Sequence, residues 1–202
     1  MGFSTLIDIV GSFIIGGMVF LILLQLNDAS VDNTFRHAGD LTVQQNLVSI
    51  VELLEYDFRK IGYCSDWTKI PQPWLSIILA DSNSISFLTD VESNGIVDTM
   101  KYYIGPTSES VNTPNPRDRK IYRVVNSETP VGVNLGVTQF SLMYFDSMND
   151  TLSFPIAQPG QIYTIQVSLT VENVAAYGDN YDDDRNAFWR QIRLGARNLR
   201  NR

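Results

Sequence analysis

Apolar and polar positions alternate along this chain in three successive regimes. In residues 3–26, FSTLIDIVGSFIIGGMVFLILLQL, no side chain from Ile9 to Leu24 is charged, and only Ser12 is polar. As a helix rising about 1.5 Å per residue, this stretch spans roughly 36 Å, enough for a bilayer hydrocarbon core of about 30 Å. Asp8 breaks the pattern one turn inside the run. An unpaired carboxylate in lipid costs about 3 kcal/mol or more, so Asp8 calls for a partner; the nearest candidate in the chain is the α-amino group of Met1. A secretory signal peptide is a poor fit, because no Lys or Arg precedes Arg36 and the apolar run is too long. For the same reason, charge bias does not set an orientation across the membrane.

Beyond Leu26 the chain turns polar, and a helical period then returns. Leu47, Ile50, Val51, Leu54, Phe58 and Ile61 fall on one face, while Glu52, Glu55, Asp57, Arg59 and Lys60 occupy much of the remainder. Gly62 follows the last apolar contact as a helix stop. The spacing predicts one helix from about Ser4 to Ile61, weakest near Asn27–Asn33 and Gly39. Three regions follow: a transmembrane helix over 1–27, an amphipathic stalk helix over 28–62 and a β-rich head over 63–202. The stalk's apolar stripe must cover something, most simply a sheet of the same chain.

In the head the period changes to that of strands. Ser84–Leu88, Thr99–Ile104, Lys120–Val125, Val137–Phe145 and Ile162–Val174 are rich in β-branched and aromatic residues. Turn clusters separate them at Asn94-Gly95, Gly105-Pro106 and Asn112 to Pro116. From Tyr163 to Glu172 the alternation is strict, predicting a sheet with one packed and one wet face. An antiparallel sheet wrapped on the distal half of a long helix is an α+β architecture.

Composition narrows the chemistry. The 202 residues (22.8 kDa) carry a net charge of −7, which argues against nucleic-acid contact. A mean hydropathy of −0.05 excludes a polytopic membrane protein. With only His37 and Cys64, the chain cannot build a Cys/His zinc site, and a dyad of the two is separated by 27 positions. Cys64 reads as a packed thiol, available at most for pairing with another chain. There is no phosphate loop, nucleophile elbow or HExxH, so no catalytic and no cofactor-binding residue is assigned. The ending carries Arg185, Arg190, Arg193, Arg197, Arg200 and Arg202 with no acid, so the overall −7 becomes −13 over residues 1–184. That ending is a solvated tail or edge strand, or a basic contact for an acidic neighbour or a membrane surface; the spacing from Arg190 to Arg200 also suits a helix face. Asp179, Asp182, Asp183 and Asp184 just before it are weak candidates for Ca²⁺, without EF-hand spacing.

Several strings, in order, resemble type IV pilin-like proteins. Gly2-Phe3-Ser4-Thr5-Leu6-Ile7-Asp8 opens the apolar helix as theirs does. Leu54–Tyr63 (LEYDFRKIGY) resembles the stalk end of minor pilins of the W kind and of type II secretion minor pseudopilins of the J kind. Lys101-Tyr102-Tyr103-Ile104 with Ile121-Tyr122-Arg123, Val137–Asp146 (VTQFSLMYFD) and Leu194–Arg202 (LGARNLRNR) are similar to their head strands and Arg-Asn ending.

The resemblance implies a pilin-like fold and a non-enzymatic filament subunit without cofactors. It further implies that prepilin peptidase cuts after Gly2 and methylates Phe3, and that the protein waits as a single-pass inner-membrane protein with an extracytoplasmic head. Asp8 would pair with a neighbour's N-terminal amine during assembly, and Gly16-Gly17 would permit close helix approach. Two features depart from the family pattern: only Met1 stands before Gly2 where the family has a basic leader, and Asp8 is the sixth residue counted from Phe3 instead of the fifth.

The function expected is therefore a minor pilin or pseudopilin that helps initiate, cap or assemble a pilus-like or secretion-like filament. Its partners would be other pilin-like subunits, met through helix and head. A membrane-anchored extracytoplasmic enzyme or binding domain is the alternative, since carboxylate-pair hydrolysis needs only acids, which are plentiful. A major filament subunit is a third reading.

Overall fold

The computed structural model describes residues 2–172 and 187–200, with side-chain surroundings for 6–35, 37–172 and 191–199. One helix, α1, runs from Gly2 to Arg59 without a break at Asn27–Asn33 or Gly39. The chain forms two compact units, Met1–Leu41 and Thr42–Arg202. The first is helix alone. The second holds the last turns of α1 and all the strands, so the fold is α+β with antiparallel sheets.

Among the described residues eight strands make two sheets, where the sequence pattern predicts one. β1 (Ile77–Ala80), β2 (Ser84–Thr89), β3 (Asp98–Ile104), β4 (Ile121–Val125) and β5 (Val131–Val133) pair in chain order as a five-stranded sheet. β6 (Val137–Phe145), β7 (Thr164–Glu172) and β8 (Ala187–Leu194) form a three-stranded one. The change of sheet occurs at Gly136, which has φ +76° and donates its N–H to Asn134 Oδ1 at 3.0 Å. A Cβ there would collide with the Glu172 carbonyl oxygen, so this corner requires glycine.

The edge strands β1 and β5 escape pattern recognition because they are short. β1 is an unalternated IILA, and β5 is interrupted by Gly132, whose missing Cβ leaves room for the Tyr122 ring. The arginine-rich ending is an edge strand followed by a 3-10 turn, Arg197–Arg200, so the helix-face reading of its arginines does not hold. Leu194, Ala196 and Leu199 are buried, so this segment is docked onto the head.

The core forms where α1 lays its stripe on both sheets. Val43, Leu47, Ile50, Val51, Leu54 and Phe58 of α1, with Ile61 just beyond it, join Ile85, Phe87, Met100 and Tyr102 of the first sheet. Phe140, Leu142, Ile165 and Val167 of the second sheet complete the same cluster. Phe58 sits edge-on to Phe87 (5.7 Å between centroids) and to Tyr102 (5.6 Å), the favoured geometry for aromatic quadrupoles. The two sheets are tied by Leu142 N–H to the Ser82 carbonyl (2.7 Å) and Arg119 N–H to the Val137 carbonyl (2.8 Å). The polar face of β7 is only half wet. Gln166 is buried and accepts from Arg193 Nε at 2.9 Å, and the guanidinium of Arg193 also lies 4.3 Å from the Phe145 ring centroid.

The exit from α1 is fixed by the head. Gly62, at φ +71°, donates to the Leu88 carbonyl at 2.9 Å, and the Thr89 hydroxyl donates to the Lys60 carbonyl at 2.8 Å. Next in line, the buried carboxylate of Asp90 accepts N–H bonds from Ser65 (3.0 Å), Asn94 (3.0 Å) and Gly95 (2.8 Å). Burial works against its charge, yet the backbone donors outweigh it and hold the carboxyl below the ordinary aspartate range. Cys64 lies past the helix, not in it; its thiol is buried 3.8 Å from Asp90 Oδ2 and is not presented to another chain.

Candidate assembly interface

The first unit is an uncovered apolar helix. From Leu6 to Leu26 every Leu, Ile, Val, Phe and Met side chain is between 44 and 80% exposed. Full burial of such a side chain is worth about 1.5–3 kcal/mol, so covering this surface would be worth some tens of kcal/mol. The segment is long and apolar enough to cross a membrane.

Its glycines serve no packing purpose inside the chain: a Cβ added at Gly11, Gly16 or Gly17 would meet nothing within 4 Å. Each glycine in a helix interior costs roughly 0.5–1 kcal/mol relative to alanine. At the adjacent Gly16 and Gly17 the bare backbone lets a second helix approach closely.

Asp8 is exposed on this surface, and among the described residues its carboxylate has no hydrogen-bond or ion-pair partner. Ser12 Oγ donates to the Asp8 backbone carbonyl at 2.7 Å, which leaves the carboxylate itself free. Gly2 opens α1. The α-amino group of Met1 and the side chain of Phe3 lie outside the described residues, as do Asp179, Asp182, Asp183 and Asp184.

In the second unit the six stalk residues Leu47, Ile50, Val51, Leu54, Phe58 and Ile61 are all buried together. The face also contains a residue that the pattern assigns to solvent. Asp57 is 1% exposed; its Oδ2 accepts from Arg123 Nε at 2.6 Å and from the Tyr102 hydroxyl, and its Oδ1 accepts from Arg123 Nη2 at 3.4 Å. The hydrogen bonds to Asp57 hold the Arg123 guanidinium above its usual value. Burial, reinforced by the Asp57 charge, pushes the Tyr102 phenol up. Asp57 follows Leu54 by three positions and Ile50 by seven, so helical spacing does place it on the packed face. Its charge is what disguised it.

Among the described residues, concavities of the head include the following two. A small apolar one of about 180 Å³ lies between Ser49, Leu53 and Leu54 of α1 and Val131, Val133 and Leu135. A polar one of about 440 Å³ is lined by Asn83, Arg117, Arg119, Gln139, Ser141 and Glu172 among others. It holds a single carboxylate, Glu172, which already accepts from Asn115 (2.9 Å), Thr138 (3.1 Å) and Arg117 (3.2 Å).

Comparison with models of known protein families and with curated proteins gives no match.

Proposed function

We propose that this chain is a non-enzymatic structural subunit of a pilin-like filament, in the manner of a minor pilin or pseudopilin. The observation that carries the reading is the occurrence, on one helix, of an uncovered apolar run with glycines that touch nothing and a carboxylate that has no partner among the described residues. Lipid satisfies the apolar side chains. It does not satisfy Asp8, whereas neighbouring helices that bring a positive terminus would satisfy the carboxylate and could pack closely at Gly16-Gly17. The subunit then rests in the inner membrane with its head on the extracytoplasmic side, and moves into the filament when its helix exchanges lipid for other pilin-like helices. The order of strings from Gly2 to Arg202 favours the minor classes, which initiate, cap or join such filaments.

The test is intact mass and N-terminal sequencing of the protein purified from native membranes or filaments. A chain beginning at N-methylated Phe3, with other pilin-like subunits copurifying, is the expected result. A chain that keeps Met1 and runs as a monomer, with no pilin-like protein alongside, would overturn the filament role.

A further inference from the structure

We propose that the 440 Å³ cleft between the two sheets of the head is a binding site for a peptide carboxylate, with Arg119 as its anchor. The cleft has the size of a small-ligand site, for which roughly 300–1,000 Å³ is usual. It is walled by β6, by the end of β7 and by the segment leading into β4, which are fixed to one another by backbone bonds on either side of it. Arg119 N–H bonds the Val137 carbonyl at 2.8 Å, and Leu142 N–H bonds the Ser82 carbonyl at 2.7 Å. The site is therefore preformed and needs no loop closure.

Arg119 is the reason to expect an anion. It is half-buried and lines the cleft, yet its guanidinium makes no hydrogen bond or ion pair among the described residues. This occurs in a chain with 22 acids and 15 basic residues, where an internal partner was easy to supply. Glu172, in the lining of the cleft, and Asp118, beside Arg119 in the chain, each accept hydrogen bonds from other residues. Glu172 holds Asn115, Thr138 and Arg117 on its own side of the cleft. Asp118, the next residue in the chain, is fully buried and receives Asn134 Nδ2 at 3.3 Å.

An arginine fork matches a carboxylate with two parallel N–H bonds. Asn83 and Gln139, with their amide side chains, and Ser141, with its hydroxyl, also line the cleft and offer donors and acceptors, and no exposed aromatic ring lines it for a sugar face. A carboxylate attached to peptide backbone is the chemistry this lining recognises. Such a carboxylate comes either from a chain terminus or from an Asp or Glu side chain.

The full-length chain in detergent micelles is titrated by NMR with two probes, acetyl-Gly-Gly carboxylate for a terminus and acetyl-glutamate α-amide for a side chain. The readout is the shift of the Arg119 Nε–H signal, identified by its loss in Arg119→Lys. At least one probe should saturate, and the stronger one identifies the source. Arg119→Gln, followed by backbone amides of the cleft, should weaken binding tenfold or more. Arg119→Lys should weaken it less, since it keeps the charge without the fork. Both variants should melt as wild type does, because the Arg119 side chain has no bonded partner among the described residues and the backbone bond to Val137 is kept. Glucuronate binding more tightly than both peptides would overturn the ligand class. Absence of saturation, or unchanged affinity in Arg119→Gln, would overturn the site. The experiment uses the isolated subunit, so its outcome does not depend on filament assembly.

Discussion

Asp8 and Asp57 stand on the same helix, each among apolar neighbours, and the structure treats them in opposite ways. Asp57 is enclosed and answered by Arg123 and Tyr102 of the head. Asp8 is exposed and unanswered among the described residues. The phenylalanines repeat the contrast: Phe58 is buried between Phe87 and Tyr102, whereas Phe13 is 80% exposed. One half of α1 is packed by its own chain, and the apolar side chains of the other half are exposed. A buried acid with its partner in the same unit fixes how that unit folds. An acid with none specifies what the unit must meet.

Breaking the packed half should have the largest effect. Arg123→Met leaves Asp57 buried without its cation and should lower the unfolding free energy by about 3–5 kcal/mol in denaturant titration. The double variant Asp57→Leu with Arg123→Met removes both charges and should recover most of that loss. If the double variant is as unstable as the single one, the pair serves packing and not charge compensation.

Phe58→Ala should cost a similar 3–5 kcal/mol by opening a cavity in the aromatic cluster, while Phe13→Ala should change head stability by less than about 0.5 kcal/mol. Equal effects at the two positions would erase the distinction between the halves.

The acid limb of head unfolding sharpens the contrast further. Asp90 is held below its unfolded value of about 3.9, so its contribution is complete above that pH and is lost as pH falls through the folded value. Asp90→Asn should therefore destabilise the head at neutral pH and flatten its loss of stability in acid. Asp118 works in the opposite sense, because its carboxyl is raised by burial: its contribution is complete in acid and declines as pH rises through the folded value. Asp118→Asn should remove that decline, as followed by thermal melts across pH.

The smallest effect on the fold belongs to Asp8→Ala and to Gly16→Leu with Gly17→Leu. Head melting should stay within a degree or two of wild type, since nothing in the chain packs on these residues. Copurification with pilin-like subunits should fall sharply in both, and a loss of head stability instead would tie this surface to the subunit's own fold.

Much of this was legible before any tertiary contact was known. The charge-free run, the stripe from Leu47 to Ile61 and the strict alternation in β7 are sums over near neighbours, and a helix or strand imposes its period on neighbours alone. For that reason they transferred into the fold nearly unchanged. β1 and β5 were not legible, being three or four residues long with no room for a period. The split into two sheets was hidden as well, because it turns on the backbone conformation of Gly136 and its crowding by Glu172.

Which charges are inside was beyond any local pattern. Asp57 finds Arg123 across 66 positions, and Glu172 finds Asn115 across 57. Periodicity could place Asp57 on the packed face but not supply the reason it is tolerated there. It could not show that Arg119 lines a cleft with no side-chain partner among the described residues. The sequence by itself determined which surfaces must leave water, because hydrophobicity belongs to each residue. The tertiary structure decided which polar groups have partners, because pairing is a property of two distant residues and of the fold that brings them together.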